Sequence, residues 1–481
     1  MKILYAVSEA VPYAKTGGLA DVAGALPKAL AKLGHEVNLI LPLYRKIKLE
    51  QYELQNIMSY DIKLGNNSHK VTIWRGATPG STLGTLFVDI PEFYDRDDFY
   101  QVKGVDYVDN FERFAAFSLA VCELMLRMKF FPDIVSLQDW HTALIAPLLR
   151  TKYRGKGLDA AKIFMTIHNL SFQGIYPKAK FDLLGLPEAD FFGKNFEFWG
   201  DVNMLKSGIM NADFITTVSP RYAEEIQSME YGFGLEGVLH SRANRLVGIL
   251  NGIDTEEWNP ALDRDIVRNY TADDLRPKIL CKSFLQDEVN LGVDLHAPIL
   301  GFVGRLTDQK GFDLIAEIMT DLAKDGFQIV VLGTGDPKYH SMLVDLKERY
   351  PKNLSYSFTF DNHLAHVIYA GADMFLMPSK FEPCGLGQMI SLAYGTIPIV
   401  RETGGLADTV IDADADKSNG NGFVFSDYTE SALYAALVRA KKAYADGERW
   451  RELMRRAINM DYSWDKSAQK YLELFSRALT M

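Results

Sequence analysis

Cysteine is scarce. The 481 residues hold three, Cys122, Cys281 and Cys384. Their number is odd, they lie far apart and they lack metal-ligand spacing, so a disulfide framework is excluded. No apolar run reaches the length of a membrane span. A basic excess is also missing: the formal net charge is −10, which argues against broad binding to nucleic acid or to an anionic membrane. The first residues carry one lysine and a short apolar run at 3–7, too short for the core of a signal peptide, and the chain reads as cytoplasmic. What is present, 48% hydrophobic and 24% charged residues, is the balance of a soluble globular protein. The length favours two domains over one core.

One hexapeptide occurs twice. Thr-Gly-Gly-Leu-Ala-Asp stands at 16–21 and again at 403–408, each time after an apolar run and before helical apolar spacing. A glycine pair between a strand and a helix brings backbone N–H groups to a ligand, and a helix start favours an anion there. The repeat predicts two similar half-molecules facing one cleft, with a phosphate-bearing ligand between them. The copies differ just upstream, where Lys15 is matched by Glu402.

Strands and helices alternate in both halves. Strands are expected at 3–7, 37–41, 134–137 and 163–167, with a helix over 22–33. The pattern restarts with strands at 299–303, 329–332, 374–377 and 397–400. Three prolines between 251 and 298 (Pro260, Pro277, Pro298) put the boundary near the start of that stretch. Domains are therefore expected at 1–253 and 254–462, with a final helix at 463–481 that can pack back on the first or stay with the second, a choice the sequence leaves open. The fold class is α/β, two doubly wound, Rossmann-like domains. In such sheets ligands gather beyond the carboxyl ends of the strands, where several polar clusters fall.

Lys15 can offer a cation to a phosphate or sugar oxygen, or be a solvated loop lysine. Arg305 and Lys310 flank a turn between a strand and a helix, where they would neutralise a diphosphate leaving group, or simply decorate the surface. Glu382 follows a strand and precedes Cys384, Gly385, Leu386 and Gly387. It supplies a carboxylate for sugar hydroxyls beside free N–H groups for phosphate, or a partner for the helix dipole. Cys384 reads as a packing thiol. Asp139, Trp140 and His141 end one strand, His168 and Asn169 another. Trp140 would floor a sugar ring, and each histidine taken singly reads as structural. Neither histidine has the helical spacing of a zinc site, so no metal is expected.

Together these segments resemble the bacterial glycogen synthase and plant starch synthase family, retaining glycosyltransferases of the GT-B architecture, in which two Rossmann-like domains face an interdomain cleft. The residues that carry the resemblance are Lys15 to Val22, His168-Asn169-Leu170, Asn251 to Asp254, Gly304-Arg305-Leu306, Phe381 to Leu386 and Thr403 to Asp408, in the family's order over nearly the whole chain. The resemblance implies transfer of glucose from ADP-glucose to the non-reducing end of an α-1,4-glucan, glycogen or a maltooligosaccharide, with no cofactor. It implies that Arg305 and Lys310 bind the diphosphate with Lys15, Thr16, Gly18 and the backbone from Cys384 to Gly387. Glu382 would hold donor-glucose hydroxyls with Asn251 nearby, and the His168 main-chain oxygen would face the reacting carbon. Phe360 would lie against the adenine. Asp21, Asp139, Trp140, His141 and Asn169 would lie on the sugar and acceptor side.

Two departures accompany it. Many retaining enzymes of this architecture carry a second glutamate eight residues on, where this chain has Ile390. The family often has Thr where this chain has Gly387. Rival readings are a UDP-glucose or sucrose-type synthase and a non-catalytic glucan-binding homologue. A phosphorylase would need a pyridoxal phosphate lysine signature, which the sequence does not show.

Overall fold

The computed structural model describes residues 1–81, 83–102, 104–359 and 361–481. The chain divides into two units. The first comprises Met1–Val218, Ala223–Leu250 and Trp464–Met481; the second comprises Ser219–Tyr222 and Asn251–Ser463.

The first unit is built on a nine-stranded sheet. Its strands are β1 (Lys2–Ala6), β2 (Glu36–Pro42), β3 (Gln55–Leu64), β4 (Asn67–Ala77), β5 (Gly84–Asp89), β6 (Ile134–Gln138) and β7 (Lys162–Ile167). After a small separate sheet of β8 (Ile175–Tyr176), β9 (Glu197–Phe198) and β10 (Asp201–Asn203) come β11 (Phe214–Thr217) and β12 (Leu246–Gly248). The spatial order is β12-β11-β7-β6-β1-β2-β5-β4-β3. All pairs from β12 to β5 are parallel, and β4 and β3 run antiparallel at one edge. Central strands read as unbroken apolar runs because both faces are covered; Ile3 to Ala6 and Ile134 to Leu137 are buried along their length.

Helix α1 (Gly18–Lys32) starts at the glycine pair, four residues before the apolar spacing alone suggested. Helix α2 (Asn110–Arg127) is largely buried and, like the β3–β4 hairpin, was not anticipated from sequence. The helix Trp464–Leu479 belongs to this unit: Phe475 meets Phe164 of β7 edge-on at 4.7 Å, and Ser467 Oγ donates to the Leu250 carbonyl at 2.6 Å.

The second unit has a six-stranded, all-parallel sheet. Its strands are β13 (Ile299–Val303), β14 (Gln328–Leu332), β15 (Leu354–Ser357), β16 (Met374–Met377), β17 (Ile397–Arg401) and β18 (Phe423–Phe425), in the order β15-β14-β13-β16-β17-β18. This order reverses between β13 and β16, the switch point at which doubly wound sheets open a crevice. One buried ion pair fixes the opposite ends of those two strands. Lys282 Nζ lies 2.7 Å from Asp373 Oδ2, which also accepts the Ile299 N–H at 2.9 Å. The same ammonium donates to the Ala297 carbonyl and the Tyr444 hydroxyl.

Removing one partner of such a pair strands a buried charge. Asp373→Ala should therefore lose about 3–5 kcal/mol of stability, read from the urea midpoint. A loss below ~1 kcal/mol would show that the pair does not hold the switch point.

Candidate active site

In the first unit the site residues gather at the carboxyl ends of β1, β6 and β7. The loop after β1 is held by Glu9, which is buried. Its Oε2 accepts the Thr16 N–H at 2.6 Å and the Thr16 hydroxyl at 2.7 Å. Gly17 and Gly18 are exposed, and a Cβ on Gly17 would meet nothing within 4 Å, so this copy of the hexapeptide presents its backbone to solvent at the start of a 15-residue helix. Lys15 Nζ reaches Asp21 Oδ1 at 2.6 Å. Burial, offset by Lys15, holds the Asp21 carboxyl above its usual range.

Asp139 sits directly after β6 with φ of 53°, in the left-handed region that Asp tolerates better than bulkier residues. That turn aims its carboxylate at the neighbouring strand end, where Oδ1 accepts the His168 N–H at 2.7 Å. Burial pushes the Asp139 carboxyl up to about 7, against the opposing pull of the His168 and Asn169 backbone N–H groups. Gln138 donates to Ser136 Oγ, which turns its amide oxygen toward His168 Nε2 at 2.8 Å. Nε2 therefore carries the proton, and burial lowers this imidazole to about 3. His168 is neutral at any physiological pH.

Trp140 does not present a free face for a sugar. His141 stacks on it at 4.0 Å, Phe114 meets it edge-on at 5.0 Å, and it is only 8% exposed. Gly174 presses against the ring so closely that a Cβ there would lie 2.5 Å from Cε3. His141 is buried too, its imidazole is held neutral by burial, and its Nδ1 has no partner among the described residues. Asn169 turns inward on its own loop, where Oδ1 accepts from the Ser171 backbone and hydroxyl.

In the second unit the functional segments follow β13 and β16. Lys310 Nζ lies 2.5 Å from Glu382 Oε2, which also accepts the Ser379 hydroxyl at 3.0 Å; Oε1 has no partner among the described residues. Glu382 is buried and Lys310 partly so. Arg305 is exposed, its guanidinium touching only the Gln309 amide oxygen at 3.3 Å among the described residues. Backbone contact makes the pairing possible. Gly311 has φ of 70°, and a Cβ there would fall 2.0 Å from the Pro378 carbonyl oxygen. The Lys380 N–H donates to the Gln309 carbonyl at 2.9 Å. Arg401, buried, clamps the same turn by donating to the Ser379 and Lys380 carbonyls.

The second hexapeptide works differently from the first. Gly404 and Gly405 are buried, and the Gly405 N–H is shared by the Glu382 and Pro383 carbonyls at 3.2 Å each. A Cβ on Gly404 would lie 1.9 Å from the Glu382 carbonyl oxygen. This copy therefore braces the glutamate loop, and the expectation that both glycine pairs face a phosphate fails for it. Glu402, the counterpart of Lys15, accepts the Ser426 hydroxyl. Cys384 is buried and its thiol is pushed up to about 12, so it is a packing residue next to Asn251. Asn251 Oδ1 is buried and has no partner among the described residues. Gly385, Leu386 and Gly387 lead into the helix Gly387–Ala393, whose first N–H groups have no intrahelical acceptor. Phe360 lies outside the described residues.

Sequence reasoning missed Glu9, Ser379 and Arg401. Glu9 and Ser379 sit within a few residues of the motifs; Arg401, the last residue of β17, had no local signal. The folded pKa of Glu9 is raised, to about 7, chiefly by burial. Its contribution to stability is complete below the unfolded value and is lost as pH rises through about 7. Glu9→Gln should melt above the parent at pH 8, by on the order of 2 kcal/mol, and close to it at pH 4.5. An equal advantage at both pH values would sink this assignment.

Residues 2–241 match the family described as "Starch synthase catalytic domain", and residues 285–457 match "Glycosyl transferases group 1". The glycogen synthase of Syntrophotalea carbinolica is 43% identical over 483 residues, covering 100% of this chain and 99% of that protein. That of Desulforudis audaxviator is 45% identical over 496 residues, covering 100% and 97%. Among solved structures, the catalytic domain of starch synthase IV from Arabidopsis thaliana, bound to ADP and acarbose, superposes with a TM-score of 0.91 at 35% identity, covering 100% and 99% of the two chains. With two units built on mainly parallel sheets that carry the motifs at their strand ends, the chain belongs to the glycogen and starch synthase family of GT-B glycosyltransferases.

Proposed function

We propose that the protein transfers glucose from ADP-glucose to the non-reducing end of an α-1,4-glucan with retention of the α configuration. The observation that carries this reading is the Lys310–Glu382 pair with Arg305 close by in sequence on the same loop. Two cations and one carboxylate suit a ligand that is doubly anionic at one end and hydroxylated at the other. The carboxylate's Oε1, without a partner among the described residues, suits glucose hydroxyls. The cations suit a diphosphate, whose departure creates the charge that most needs stabilising. Helix-start N–H groups around Leu386 and Gly387, and the exposed backbone of Gly18, add donors without side chains. The adenine half of the proposal is supported by the ADP bound to the Arabidopsis relative.

On this reading the glucosyl carbon develops oxocarbenium character as the phosphate oxygen leaves. The His168 main-chain oxygen supports that charge; its neutral ring takes no proton between pH 5 and 9. No carboxylate is assigned as a covalent nucleophile. The acceptor hydroxyl attacks from the face that the diphosphate vacates, and the leaving oxygen accepts its proton. The glycosidic bond forms as the carbon–phosphate oxygen bond breaks, so charge and protons balance.

Glu382→Gln and Arg305→Ala should each lower turnover at least about a hundredfold, the scale of losing a transition-state electrostatic partner. Near-parental turnover in either variant would remove that role. Labelled glucose should enter glycogen from ADP-glucose and much less from UDP-glucose. Preference for UDP-glucose would overturn the choice of base and leave the diphosphate assignment standing.

A further inference from the structure

The hairpin joining β9 to β10 carries an unusual residue. Phe198 pairs with Asp201 across a two-residue loop, Trp199-Gly200, in which both residues have positive φ, 54° and 89°. That is the geometry of a type I′ turn, which favours Asn or Gly at its first position and disfavours a bulky aromatic. Trp199 is also 87% exposed. The largest side chain in the alphabet thus occupies a strained backbone and contributes little to any core. Neither local propensity nor packing accounts for it.

Its surroundings are built. The Phe198 ring lies against Gly234, where a Cβ would come within 3.0 Å of Cζ, and the preceding Phe233 also has positive φ, 49°, with 40% exposure. One buried amide ties these segments to the His168 loop. Gln173 donates to the Leu170 and Phe233 carbonyls at 3.2 and 3.0 Å, and accepts from Asn203 Nδ2 at 2.6 Å. Phe172, on that same loop, is 53% exposed. Three stretches distant in sequence thus expose Phe172, Trp199 and Phe233, and the Gln173 amide ties the segments of Phe233 and Asn203 to the loop that carries His168, Asn169 and Leu170.

We propose that the Trp199 hairpin is a platform that holds the polymeric glucan acceptor outside the reacting end, an inference that rests on the glucosyl-transfer reading above. Pyranose rings offer flat C–H faces that suit aromatic rings, and hydroxyl edges that suit acceptors such as Glu197 and Asp201 beside the turn. The neighbouring carboxylates disfavour an anionic lipid surface. An exposed aromatic on a hairpin tied through Gln173 and Asn203 to the His168 loop is where such a chain would run.

The test uses Trp199→Asn, which gives the turn its preferred Asn-Gly pair, so the fold is kept and thermal melting should match or exceed the parent. Mobility in native gels cast with glycogen should show weaker retention. KM for glycogen should rise about fivefold, the effect of removing one aromatic contact. KM for the nucleotide sugar, and kcat with a saturating short maltooligosaccharide, should stay within about twofold. Trp199→Tyr should restore most of the retention. Parental retention and KM in Trp199→Asn, with an active parent, would overturn the platform. So would a drop in kcat on the short acceptor, which would place the hairpin at the reacting atoms. Loss of self-association with unchanged glycogen retention would assign the surface to a second copy of the chain and overturn it too. A parent that neither transfers glucose nor binds glycogen would instead refute the underlying glucosyl-transfer reading.

Discussion

The second unit depends on how closely one backbone can approach another. Gly311 lies against the Pro378 carbonyl and Gly404 against the Glu382 carbonyl, at separations that any Cβ would fill. These two approaches bring the loops after β13, β16 and β17 into one layer. Lys310 and Glu382 meet because their backbones are already fixed, so the ion pair does not have to organise the loops that carry it. With the backbones set in advance, little reorganisation is left for the charged side chains themselves.

The first unit solves the same problem with side chains. Glu9 grips the glycine loop through Thr16, and Asp139 grips the His168 backbone. Both carboxyls are buried and both have their ionisation pushed up to about 7. The cost of burying them is met partly by backbone donors and partly by favouring the protonated form. The neighbouring histidines are held neutral by the same burial. These strand ends therefore carry little fixed charge beyond the Lys15–Asp21 pair.

Much of this was legible in the sequence where burial on both faces makes a strand read as an apolar run. Strands at 299–303 and 374–377 coincide with the expected ones, and the other expected strands differ by one residue at one end or at both. The α/β class and the polar clusters at strand ends followed from the same pattern. The β3–β4 hairpin was less visible because it is exposed on one face, and α2 because its burial blurs the helical period. The hexapeptide shows the limit of motif reading. Six identical residues form an exposed helix start in one place and a buried brace in the other. Nothing within the six separates them; the difference lies in the Glu382 carbonyl that arrives from elsewhere in the chain. Trp140 was misread for a related reason: its exposure is decided by Gly174 and Phe114, which no local pattern reveals.

The helix Trp464–Leu479 belongs with strands formed more than two hundred residues earlier. As the polypeptide leaves the ribosome, all six strands of the second unit emerge before this helix does. During that interval Phe164, and the carbonyl of Leu250, lack the cover that Phe475 and Ser467 later give them. The later-made unit can therefore finish folding before the earlier-made one. The nascent first unit stays partly open until translation has passed the second, and that window is when a chaperone would have a sticky surface to hold.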